Sequence, residues 1–162
     1  MAHPGLPPRI AEINDGAVTW HRLDGIDYEM LGYFLSCHLI IEHYLAEFLK
    51  IVHPSLNWAK ARPTFTQMVA LLSSFKISPR YDCVPAIKHM NALRNKLSHD
   101  IEFKMRPEDL LPLNKCLAKA SEGKSVSPSE PKEILEQFTM MVCALFAGYI
   151  SSQAHHAKLT RR

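Results

Sequence analysis

Seven residues, Leu31, Phe34, His38, Ile41, Leu45, Phe48 and Val52, recur at alternating steps of three and four before Pro54. At about 100° per residue that spacing stacks one apolar seam along a helix of about six turns. Asp27 stands where an N-cap is expected, and Pro54 stops the helix because it has no amide to donate. A seam of this length must be buried against other helices, so this stretch constrains the fold more than any other.

The rest of the chain supplies those helices. A second is expected from Thr64 to Lys76, with Phe65, Met68, Val69, Leu72 and Phe75 inward, ended by "ISPR". A third is expected from Tyr81 to Phe103, with Pro85 in its first turns, where proline is tolerated. "PEDLLPLNKCLAKAS" predicts a short, proline-interrupted segment, and "SEGKSVSPSEP" predicts a loop. In the last helix Ile134, Leu135, Phe138, Met141, Val142, Leu145 and Tyr149 face inward. That helix is apolar almost all round between Met140 and Ala147, which predicts a central position. No segment shows sustained period-two alternation of β-branched residues. The expected fold is therefore all-α, an up-and-down bundle of four to five helices. Residues 1–25, rich in proline and glycine, are expected to form an irregular N-terminal arm. Residues 26–157 form a single helical domain in this reading, and 158–162 a basic tail.

At 162 residues the chain is long enough for one domain to bury roughly two thirds of its unfolded surface. Hydrophobic residues make up 47% and charged residues 22%, a composition that excludes a disordered chain. A formal charge of +3 is compatible with a nucleic-acid partner without demanding one, so any such case must rest on a local site. Cys37, Cys83, Cys116 and Cys143 form no C-x-x-C pair and fall in apolar helical stretches, which predicts buried thiols in a reducing compartment. The N-terminus lacks a basic-then-apolar signal, and the run from Met140 to Ile150 is too short to span a bilayer; a cytoplasmic protein off the membrane is expected.

The candidate site is "NALRNKLSHD", Asn91 to Asp100. Ile87, Met90, Leu93, Leu97 and Ile101 define the buried stripe of the third helix. Asn91, Asn95, Ser98 and His99 then fall on a neighbouring polar face, with Arg94 at the border. Arg94 and His99 lie five residues apart, separated by about 140° and ~7.5 Å of rise. Two copies meeting across a two-fold axis would bring four such groups into one cleft, so a homodimer is attractive if this patch is catalytic. A histidine takes or gives a proton near neutrality, an arginine fork matches phosphate oxygens, and an asparagine orients either. Such a set suffices for metal-free RNA cleavage by transesterification. On an arbitrary helix, the same residues more often make a border salt bridge and a helix-end cap.

"LRNKLSH", Leu93 to His99, resembles the R-x(4–6)-H signature of the HEPN superfamily of helical nucleases and nucleotide-binding domains, with Asn95 as the polar residue after the arginine. The longer stretch from Phe65 to Asp100 is similar in helix order to the mannitol-repressor-like branch. "HLIIEHYLAEFL" resembles the family's first long helix, which often carries a glutamate at the position of Glu42. The resemblance covers about residues 30–103 and implies a HEPN-like fold. It implies that Arg94 stabilises the transition state, His99 acts as general base or acid, and Asn95 orients them. It further implies a homodimer cleaving RNA without metal, often as a toxin or phage-defence effector, with an antitoxin or defence-system protein as partner. Ile101 stands where toxins paired with nucleotidyltransferase antitoxins carry a tyrosine, so control through that tyrosine does not carry over. Some members of the mannitol-repressor-like branch bind partners instead of cutting RNA, which leaves a catalytically inactive regulatory or interaction module as the alternative.

Asn91, Ser98, Glu42 and His38 are expected to support the set, with Glu42 or His38 crossing the bundle to hold Arg94. Lys88 and Lys96 are weaker candidates for RNA contact. His38 and Glu42, four residues apart, have metal-ligand spacing but no evident third ligand, so no metal is assigned. No glycine-rich phosphate loop occurs, and no cofactor is expected. His155 and His156, beside the basic end of the chain, read as a solvated tail.

Overall fold

The computed structural model describes residues 6–124 and 128–159, with side chains as far as His156. It is predominantly helical, with one small two-stranded antiparallel sheet. The helices are α1 (Tyr28–Val52), α2 (Trp58–Ala61), α3 (Phe65–Leu72), α4 (Val84–His99), α5 (Leu111–Ala120) and α6 (Pro131–Leu159).

Helix α1 starts at Tyr28 because Asp27 accepts the Met30 amide at 3.0 Å. Its seam is buried through Phe34, His38, Ile41, Leu45 and Phe48. The most extensive packing in the molecule is between α1 and α6, where Phe48 stacks on Phe146 at 5.3 Å and meets Phe75 edge-on at 5.1 Å. Thr64 and Gln67 form a capping box that starts α3. Helix α3 ends at Leu72, four residues short of the expected boundary.

The region read as an irregular arm contains a hairpin, β1 (Arg9–Asn14) paired with β2 (Ala17–His21). Asp15 and Gly16, both at positive φ (48° and 80°), form its two-residue turn, for which Asp-Gly is well suited. The register shifts between Ile10 and Glu12, leaving Ala11 as an extra residue that masks the period-two alternation of β1 in the sequence. That bulge restores phase. Ile10 lies opposite Trp20 and Ile13 opposite Val18, all on one exposed face. The hairpin is rooted by Glu102, whose carboxylate meets His21 Nε2 at 2.6 Å and accepts the Gly25 amide at 3.2 Å.

Further expectations change, most of them in α6. Within the apolar stretch of α6, Val142 and Phe146 are buried, whereas Ala144 is exposed and Met140 is 66% exposed, so the helix packs by one side and is not enclosed. From Pro131 to His156, α6 is also long and apolar enough to cross a membrane by length and composition, with mean hydropathy of 1.4 in its most apolar window. The contiguous run from Met140 did not disclose this, because the apolar residues before it are interleaved with polar ones. In this fold its inward side packs on α1. The helix continues through His155 and His156 to Leu159, so these histidines stand on an exposed last turn and not on a tail; residues 160–162 of the expected basic tail lie outside the described residues. Cys37, Cys83 and Cys116 are buried and Cys143 half-buried; burial pushes the Cys83 thiol up to about 12.

Candidate functional site

Helix α4 carries the candidate residues, and its buried side, Ile87, Met90, Leu93 and Leu97, follows the expected stripe. It stops at His99, earlier than Phe103, because Asp100 leaves the helical conformation at φ −135° and Glu102 turns to the hairpin. His99 is therefore the last helical residue, exposed at the C-terminal end of α4. Ile101, expected on the buried stripe, leaves the helix and lines a small space with Leu97 and Phe103.

Arg94 is exposed and, among the described residues, has no carboxylate at ion-pair distance. It does reach the neighbourhood of α1. His38 there is only 2% exposed, with its ring centroid 4.4 Å from that of Phe65. Burial first, then the positive charge of Arg94, holds the His38 imidazole below its ordinary range; Asn91 beside it acts in the opposite sense. The His38 ring is neutral near pH 7 as a consequence. Its Nδ1 faces Glu42 Oε2 at 3.8 Å, and its buried Nε2 meets no partner at hydrogen-bonding geometry. Asn91 also donates to Thr66 Oγ1 on α3 at 3.3 Å.

The structure thus gathers Arg94, Asn91, His38 and Glu42 where α1, α3 and α4 meet. The expectation that Glu42 or His38 would bond Arg94 is corrected. Glu42 stays with His38 one turn away on its own helix, and neither makes a hydrogen bond to the guanidinium. Ser98 is turned back on its own helix, donating to Asn95 O at 2.7 Å, so it buttresses the last turn. Lys96 lies over the Phe103 ring at 3.7 Å, on the opposite flank from Arg94. Lys88, Ala92, Asn95 and His99 are all exposed and, at 100° per residue, share one narrow strip down α4. Arg94 lies off that strip, toward α1.

Thr66 and Phe65 were not singled out as site residues, although the capping box at Thr64 fixes the register that brings both to His38 and Asn91. Among the described residues no group of three histidine, cysteine or acidic side chains is placed to hold a metal ion. Neither a family model, nor a curated protein, nor a solved structure matches the chain.

Proposed function

We propose that the protein is a metal-independent endoribonuclease of HEPN type, an up-and-down helical bundle acting as a cytoplasmic homodimer in a toxin or phage-defence setting. The observation that carries this reading is the state of Arg94, an exposed guanidinium with no carboxylate partner among the described residues, on the helix that ends in an exposed His99. A structural arginine at a core border is expected to sit in an ion pair; this one keeps its donors available for an anion.

His99 takes the proton from a ribose 2′-hydroxyl, and the oxygen attacks the adjacent phosphorus. The bond to the 5′-oxygen breaks, and that oxygen receives a proton from His99 of a second copy. The products are a 2′,3′-cyclic phosphate and a 5′-hydroxyl. Arg94 donates to the non-bridging oxygens as charge builds, and Asn95 orients the pair. A neutral His38 spares Arg94 a second adjacent cation, and that ring is fixed by burial against Phe65 with Glu42 facing its Nδ1. Leu35, Leu39 and Ile40, exposed on the outer side of α1, provide apolar surface for the second copy.

The second reading is a catalytically inactive regulatory module of mannitol-repressor-like type. It is favoured by the different faces of α4 from which Arg94 and His99 project. One assay separates the two: single-stranded RNA is incubated with purified protein in chelator, and the product ends are identified. Cleavage leaving cyclic phosphate, reduced about 10²–10⁴-fold in His99→Ala, is expected. Equal RNA survival with wild type and His99→Ala refutes the nuclease.

A further inference from the structure

A groove of about 640 Å³ opens at the far end of α4 from His99, where the chain leaving α3 turns into α4. Its volume is that of a small-molecule pocket. Phe75, Pro79 and Pro85 supply apolar walls; Phe75 is held in place edge-on to Phe48 and Tyr149. Lys76 and Lys88 reach the same concavity from two different elements, and among the described residues neither ammonium has a carboxylate at ion-pair distance. The one acid in the lining, Asp82, accepts the Val84 amide at 3.1 Å and so is engaged in starting α4. The groove therefore combines flat apolar surface with an excess of positive charge.

Its position connects it to the candidate site. Lys88 heads the exposed strip that runs through Ala92 and Asn95 to His99, eleven residues or about 17 Å along the helix axis. That distance corresponds to roughly three to five nucleotides of a single strand, depending on how far it is stretched beyond stacked spacing.

We infer that this groove binds a nucleotide unit, its base against the wall of Phe75, Pro79 and Pro85 and its phosphate at Lys76 and Lys88, as a remote part of the RNA strand held at His99. The inference rests on the RNA reading for the source of the nucleotide, while the recognition chemistry would be shared by a free mononucleotide. A strand lying along α4 is anchored at both ends, and the Lys88–His99 spacing makes recognition depend on length.

The test uses the full chain carrying His99→Ala, so that RNA is bound but not cut, with and without Lys76→Glu and Lys88→Glu. Both lysines are exposed, so the charge reversals are expected to leave the circular dichroism and melting temperature in place. Fluorescence anisotropy with a twelve-nucleotide single strand should show at least about a tenfold loss on the double reversal, and a salt slope smaller by about 0.7 for the one lost phosphate contact. A two-nucleotide strand cannot span from the groove to His99 and should bind the parent protein far more weakly than the twelve-nucleotide strand. In a second arm, adenosine monophosphate is titrated calorimetrically. Lysine-dependent binding of the mononucleotide, with twelve-nucleotide affinity unchanged by the reversals, would overturn the strand assignment and leave a free-nucleotide site. Undiminished affinity for both probes would overturn the groove altogether. If the parent protein binds no RNA, the ribonuclease reading fails, and the mononucleotide arm alone decides the groove.

Discussion

His38 makes the stability of this protein depend on pH in a defined direction. The ring is 98% buried, its Nε2 is unpartnered, and both burial and Arg94 lower its proton affinity in the folded state. An unfolded histidine titrates near 6.5. As pH falls through that value, the unfolded chain takes up a proton that the folded chain refuses, so stability declines until the folded value is reached and then levels off. With one extra proton on the unfolded state, the slope approaches about 1.4 kcal/mol per pH unit, and the loss between pH 7.5 and 5.0 is at most about 2 kcal/mol. Glu42 and Arg94 face the ring from α1 and α4 and act oppositely on a protonated imidazole; the lowered value reflects Arg94 and burial. His38→Leu keeps the apolar contact with Phe65, removes the unpaired nitrogen, and abolishes this term. Urea denaturation of wild type and variant at pH 7.5, 6.0 and 5.0 measures it, because groups common to both cancel in the difference. The variant should gain on wild type steadily as pH falls. Parallel pH profiles for the two proteins would refute the placement of a neutral histidine beside Arg94.

Phe48→Ala removes the ring that touches Phe75, Phe146 and Tyr149, all around a fully buried position, and should cost about 3–5 kcal/mol in chemical denaturation. Glu102→Gln removes the carboxylate charge that His21 and Gly25 share, so amide hydrogen exchange across residues 9–21 should accelerate while the melting temperature of the helical body stays near that of wild type. Because His21 holds the Glu102 carboxyl below its usual range, hairpin protection in wild type should persist above that range and fall as acid protonates the carboxylate.

Helix identity was written locally. The three-and-four spacing from Leu31 to Val52, the Asp27 cap, Pro54 and the Thr64–Gln67 box each act within a few residues, so α1 and the start of α3 are legible without the fold. So was the buried side of α4, and with it the exposure of Asn95 and His99. The hairpin was half-written: Asp15-Gly16 marks its turn, while the bulge at Ala11 hides the period-two signal that would have completed it. Periodicity alone did not give the end of α4 at His99, since the helical period continues through Ile101, whereas Asp100 accepts the Glu102 amide and Glu102 turns to His21 and Gly25. Nor did periodicity tell that His38, on an apolar seam, would sit beside Arg94 with its Nε2 unpaired, or that Lys76 and Lys88 would share a groove. These depend on how α1, α3 and α4 cross. A helix dictates which residues share a face; which faces meet, and at what depth, is settled only when several seams compete for one core.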